Sequence, residues 1–270
     1  MDRVRALSLA VLVCGLLPAS AAARQSVKLS ATLVPEKLGH GTTVGFDFSI
    51  TAPANQVPSP LTGVELSYPG NLGFALSGLG LETCAVQTLE VLGAKACPAN
   101  SLMGYGLATA EVPGPIIVRE SAEVSIVRAP THDGKLALFF YVDAETPVSA
   151  QLVFPGLLEP APPPFGGQVV ISVPLVPSFP EASDVAVVRL RSTLGPSHLT
   201  YYRHAHGKTV AYNPRGVLLP KVCPHGGFRF AGTFTFFDGS TADTSATVPC
   251  PVDGRRRAKH RRLRPRRPSG

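Results

Sequence analysis

With 27 prolines and 26 glycines among 270 residues, the chain meets a helix breaker or a turn former about every five residues. Proline removes a backbone donor and clashes with the preceding turn of a helix, and glycine loses the most conformational freedom on folding. Long helices are thereby excluded, and many short strands joined by turns are favoured.

The apolar residues agree, because they recur with a period of two, as a half-buried strand requires. Val27, Leu29, Ala31 and Leu33 share one face against Lys28, Ser30 and Thr32, and Val44, Phe46, Phe48 and Ile50 repeat the pattern against Asp47, Ser49 and Thr51. Phe228, Phe230, Phe234 and Phe236 line a third such face. Asp238-Gly239 then turns the chain into Ser240 to Val248, a strong hairpin signal. Further strands are expected at Leu61 to Tyr68, Glu123 to Arg128, Lys135 to Val142, Val148 to Phe154, Gln168 to Val173 and Val185 to Leu194. The run Leu136 to Val142 is apolar on both faces and is expected to cross the centre of the core. One short helix is expected after Thr83, with Thr83 as N-cap and Cys84, Thr88, Leu89 and Leu92 at helical spacing.

The first 23 residues have the form of a secretory signal peptide. Arg3 and Arg5 precede an apolar run from Ala6 to Leu17, and Ala19-Ser20-Ala21 and Ala21-Ala22-Ala23 both satisfy the small-x-small cleavage rule. Acylation of Cys14 would need a small residue before it, and Val13 stands there. About 12 apolar residues are too few for a membrane span, which needs about 20. The mature chain is thus expected to be secreted or surface-associated, with no transmembrane segment.

Four cysteines remain after the leader: Cys84, Cys97, Cys223 and Cys250. An even number in an oxidising compartment reads as two disulfides, and local pairing of Cys84 with Cys97 and Cys223 with Cys250 is favoured among three connectivities. Zinc would need Cys-x-x-Cys or nearby histidines, and only His225 lies close.

The expected body, residues 24–253, is an all-β, disulfide-stabilised antiparallel β-sandwich, one large or two small. The proline-rich segment 155–167 is its candidate internal break or a loop folded over the sheet, since its prolines argue against a central strand. Residues 254–270 form a tail expected to be disordered. Nine of the 25 basic residues crowd into it: Arg255, Arg256, Arg257, Lys259, Arg261, Arg262, Arg264, Arg266 and Arg267. Without these and the leader, 14 basic residues face 17 acidic ones, so the body is mildly acidic and any polyanion is met through the tail. Behind a signal peptide the candidate partners are anionic cell-envelope polymers or lipid headgroups; sequence-specific nucleic acid is not expected, since no base-reading element accompanies the tail.

No motif in the chain points to a catalytic, metal or cofactor residue. Ala75-Leu76-Ser77-Gly78 lacks the first glycine of a nucleophile elbow, and no phosphate loop or dinucleotide fingerprint is present. Gly78-Leu79-Gly80 and Gly104-Tyr105-Gly106 read as turns or bulges. His204 and His206 share a face if extended, with His198 and His225 as further metal ligands, or they mark the exposed end of a hairpin turning at Gly207. Asp143 and Glu145 are the best same-face carboxylate pair for glycoside hydrolysis, yet the chain has no Trp to stack a sugar ring. His132-Asp133-Gly134 and Asp238-Gly239 fall short of a calcium loop.

Cys97-Pro98-Ala99-Asn100-Ser101 followed by Gly104, Gly106 and Ala108, with Asn213-Pro214, Cys223-Pro224, Asp238-Gly239-Ser240 and Cys250, resembles a group of exported all-β proteins of high-GC actinobacteria. The resemblance implies a bacterial, extracytoplasmic setting and paired cysteines, and supplies no catalytic residues. The expected role is non-catalytic binding or structure at the cell surface, with an extracellular hydrolase as the alternative.

Overall fold

The computed structural model describes residues 25–53, 56–73, 78–145, 149–178 and 180–251. The expected leader at 1–23 and the basic tail at 254–270 lie outside the described residues, as does Ser77. In chain order the strands are β1 (Ser26–Val34), β2 (Gly41–Thr51), β3 (Leu61–Pro69), β4 (Leu102–Val112), β5 (Val118–Arg128), β6 (Ala137–Ala144), β7 (Ala150–Glu159), β8 (Phe165–Ser172), β9 (Ala186–Leu194), β10 (Tyr201–Ala205), β11 (Lys208–Tyr212), β12 (Val217–Leu218), β13 (Phe228–Phe236) and β14 (Thr241–Val248). Among the described residues, one short helix, α1 (Val86–Leu92), and two 3-10 turns precede β4.

Among the described residues, one antiparallel sheet runs β1-β2-β9-β4-β5-β6-β7-β8-β3-β13-β14, with β12 attached to β2, and β10 and β11 form a separate hairpin. With eleven antiparallel strands in the row, the first and last run in the same direction. These two edges, β1 and β14, lie side by side, and Gln25 at the start of β1 donates to Asp238 and Ser240 at the start of β14, both at 3.4 Å. The sheet therefore almost closes on itself. The all-β antiparallel class holds, and the two faces expected of a sandwich are opposite walls of one continuous sheet.

Aromatic contacts help hold the seam. Phe46 and Phe48 on β2 meet Phe230 and Phe234 on β13 edge to face, with ring centroids 5.3 and 4.9 Å apart, although these strands share no ladder. The alternation read from sequence explains the geometry: Phe228, Phe230, Phe234 and Phe236 are all buried, and Arg229 and Thr235 between them face solvent.

Strand β6 is apolar on both faces because it is covered on both. Leu138, Phe140 and Val142 face the interior, while Tyr141 packs outward with Leu89 of α1, Cys84 and Val127. The Cys84–Cys97 disulfide, Cα atoms 5.3 Å apart, fastens this outer layer. Cys223–Cys250, at 5.9 Å, joins the chain entering β13 to the chain leaving β14. Such links contribute roughly 2–4 kcal/mol each in the chain-entropy description. Both pairings are those favoured from the sequence.

Two sequence expectations are corrected, and a third is met in part. The 155–167 segment is no break, because β7 and β8 occupy most of it and the sheet interleaves both halves of the chain: β3 lies between β8 and β13, and β9 between β2 and β4. Pro155 is accommodated within β7 because it has no partner residue on β8, whose ladder begins at Gly156. The helix starts two residues later than expected, with Ala85 as N-cap, because the Cys84 N–H donates to the Arg128 carbonyl at 2.9 Å and holds that residue beside β5. Of the turn or bulge expected at Gly104-Tyr105-Gly106, the bulge is observed: the three residues lie within strand β4, where the register shifts between Leu102 and Gly104.

Candidate ligand-binding cavity

The width of a barrel grows with strand number, and about eight strands enclose just enough space for side chains to fill. Eleven enclose more. At one end the excess is taken up by chain that enters the core, with Leu72, Leu79, Leu199, Tyr201, Val217 and Leu219 all buried there. At the other end, where β4 turns into β5 and β13 into β14, the interior retains a cavity of about 200 Å³. That exceeds the roughly 150 Å³ of an apolar cavity able to take up benzene.

Its shape follows from the side chains in register across four neighbouring strands. Ile126, Phe140 and Phe154 form one inner row, with the Phe140 and Phe154 rings stacked at 5.6 Å, and Val124, Val142 and Leu152 form the next. Above them Ala108, Ala122, Ala144 and Ala150 stand directly opposite one another across β4, β5, β6 and β7. Side chains thus shrink from aromatic to methyl along the wall, and the space between the walls opens accordingly. Gly156 serves the deep row: a Cβ there would lie 2.7 Å from the Phe140 ring.

Among the described lining residues only Glu120 and Ser192 are polar. Glu120 pairs in register with Ala110, one inner position beyond the alanine row toward the open end, and is 5% exposed. The run from Glu120 to Ile126 spans about 20 Å along β5. Around the same end the apolar side chains of Ile116, Ile117 and Phe237 are exposed. The Asp238 carboxyl beside Phe237 is held below the usual carboxylate range by bonds from the Ser240 side chain and backbone, which fixes the β13–β14 turn.

The residues singled out from sequence do not gather at this cavity. Asp143 accepts from Gln151 at 3.3 Å, and its neighbour Val142 lines the interior, so the carboxylate faces outward; Glu145 is exposed. His204 lies in β10, 3.4 Å from the Thr209 hydroxyl, and His206 occupies the β10–β11 turn with φ 51°, followed by Gly207 at 71°. The exposed-hairpin reading of these histidines is the observed one. Among the described residues no group of three or more His, Cys, Asp or Glu is placed to hold a metal, and no helix is long and apolar enough to cross a membrane.

Sequence reasoning missed Glu120. The signal was present: Glu120, Ala122, Val124 and Ile126 alternate, with a carboxylate on an otherwise apolar face. Starting the strand at Glu123 hid it. Neither a family model, nor a curated protein, nor a solved structure matches the chain.

Proposed function

We propose that the protein is an extracytoplasmic binding protein that takes up an apolar ligand inside its nearly closed barrel, without chemistry. The observation that carries this reading is the apolar cavity graded from Phe140 and Phe154 up to the four alanines. Concave, mostly apolar sites with few convergent polar groups are the usual form of small-molecule sites. A ligand hiding about 300 Å² of apolar surface gains about 7 kcal/mol gross, which bounds its affinity near the micromolar range. An extracellular hydrolase would need convergent acid-base groups, and the polar lining among the described residues is Glu120 and Ser192.

Two disulfides, the secretory form of the leader and the resemblance to exported actinobacterial proteins support a location outside the cytoplasm. In this reading the nine basic residues from Arg255 to Arg267 tether the protein to anionic envelope polymers or lipid headgroups. Truncation after Asp253 then releases the protein from the envelope fraction, salt does the same to the full chain, and thermal stability is unchanged by the cut. Equal retention of both forms rules the tether out.

The binding reading is tested with N-phenyl-1-naphthylamine, an uncharged dye that fluoresces in apolar surroundings. Saturable uptake by the wild type, lost in an Ala122→Phe/Ala144→Phe double variant that keeps its near-ultraviolet circular dichroism, is the expected result. Equal uptake by the filled variant would show that the dye sits elsewhere.

A further inference from the structure

We infer that the β10–β11 hairpin is a second, folded contact for an anionic envelope polymer, which it engages through Arg203 and Lys208 with the neighbouring Arg215 and Lys221. The inference rests on the reading above that the protein meets such a polymer, and it is independent of the cavity. Its basis is the gathering of unpaired cations at one end of an otherwise acidic body. Between Asp184 and Asp238 the chain has no acidic residue and seven basic ones, whereas the rest of the body sets seven basic residues against 17 acidic. Arg203, Lys208, Arg215 and Lys221 of this stretch are all exposed. Among the described residues none of the four forms a salt bridge, while Arg119, Lys135 and Arg189 are paired with Glu111, Glu159 and Asp47.

All four belong to the end where chain enters the core. The Pro220 carbonyl, beside Lys221, accepts from the Gly39 N–H at 3.0 Å, and the Arg215 backbone lies against Gly41 at the start of β2. The Cys223–Cys250 disulfide holds Cys250 close to Lys221, so the basic tail departs from the same end. Among the described residues β10 and β11 pair only with each other. Such a ribbon is marginal by itself, and Asn100 clamps its base, accepting from the Tyr202 N–H and donating to the Tyr202 carbonyl, both at 2.8 Å. Arg203 and Lys208 share one face, and the Arg203 guanidinium lies over the Tyr212 ring at 5.3 Å. A ring beneath a guanidinium orients it and leaves its edge donors for a sulfate, phosphate or carboxylate. His204 is on the other face and His206 in the turn. A flexible chain of anionic groups can follow donors around both faces and the tip, whereas a flat bilayer meets one side, so the polymer is the partner that fits.

A polyanion sheds condensed counterions when it is bound, so affinity falls with salt in proportion to the number of cationic contacts. The experiment titrates fluorescein-labelled dextran sulfate with the full-length mature protein and follows anisotropy at rising sodium chloride. Arg203→Gln/Lys208→Gln is expected to weaken binding roughly fivefold or more at about 0.1 M salt, and to flatten the plot of log Kd against log salt by about one to two contacts. Lys28→Gln/Arg119→Gln, the same charge change in β1 and β5 toward the other end of the barrel, is expected to cost less than about twofold, as distant charges are screened. Equal losses from the two pairs would reduce the effect to net charge and overturn the assignment, as would no loss from the hairpin pair. Hairpin-dependent binding to vesicles of phosphatidylglycerol and phosphatidylcholine, with none to dextran sulfate, overturns the polymer in favour of a bilayer. If the cut after Asp253 leaves dextran sulfate binding unchanged, the tail tether falls and the hairpin contact stands; if the full chain binds no dextran sulfate and no vesicles, both fall. Near-ultraviolet circular dichroism checks the fold. Should loss of Arg203 from the Tyr212 ring disturb the hairpin, Lys208→Gln/Arg215→Gln, which leaves that contact in place, decides by the same criteria.

Discussion

The hydroxyl of Tyr201, at the start of β10, donates to the main-chain carbonyl of Leu102, at the start of β4, with the oxygens 2.6 Å apart. The same hydroxyl accepts from the Gly80 N–H at 2.6 Å. One fully buried phenol thus joins three stretches of chain where the barrel is plugged. Tyr201→Phe keeps the ring and its edge-on contact with Tyr212 but strands a buried N–H and a carbonyl. The expected cost is about 1–3 kcal/mol, read as a lower urea midpoint with an unchanged m-value. A midpoint equal to that of wild type would mean that water replaces the hydroxyl without loss.

The same residue sets an alkaline limit. Burial, opposed by the Gly80 hydrogen bond and assisted by Tyr212, pushes the Tyr201 hydroxyl from 10.0 up to about 12. Because the folded-state value is the higher, the contribution to stability is fully present below pH 10 and is lost as pH rises from 10 toward 12. Thermal melts across that window are expected to fall more steeply for wild type than for Tyr201→Phe. Parallel declines would place the alkaline sensitivity in other tyrosines.

Strands with large alternating side chains were legible in the sequence; those built from small ones were not. The phenylalanines of β13 and the two-faced run of β6 carry enough apolar bulk to reveal both the element and the face. In β4 the inward positions are Gly104, Gly106, Ala108 and Ala110, which present no apolar face to read. The cavity was hidden for the same reason, since its widest part is made of alanines. Ladder order was equally out of reach, because β3 pairs with β8 across about a hundred residues of chain and with β13 across still more, and no local pattern encodes that.

The glycines of β4 have a packing reason that can be tested. A Cβ on Gly104 would lie 1.9 Å from the Thr193 carbonyl oxygen on β9, and one on Gly106 2.5 Å from that of Arg191. Backbone cannot swing aside as a side-chain tip can, so the two strands must separate. Gly104→Ala is expected to cost about 1–3 kcal/mol or to prevent folding, as overpacking does. A loss below about 0.5 kcal/mol in a urea titration would mean that the β4–β9 ladder yields more easily than its geometry implies.

Ala122 stands directly between Ala108 and Ala144 in the row that opens the cavity. A void lined by apolar atoms forfeits their mutual attraction, so filling it stabilises the empty protein while removing the space a ligand needs. Ala122→Ile adds three carbons on the inner face, and even partial burial of them is expected to contribute about 1 kcal/mol. Ligand acts in the opposite sense across the pair of proteins: at about a hundred times its Kd it stabilises the native state by about 2.7 kcal/mol. Without ligand the variant is expected to melt above wild type, and with saturating octanol below it. This reversal separates a cavity kept open for binding from an accidental packing defect, which would give the variant the higher melting temperature under both conditions.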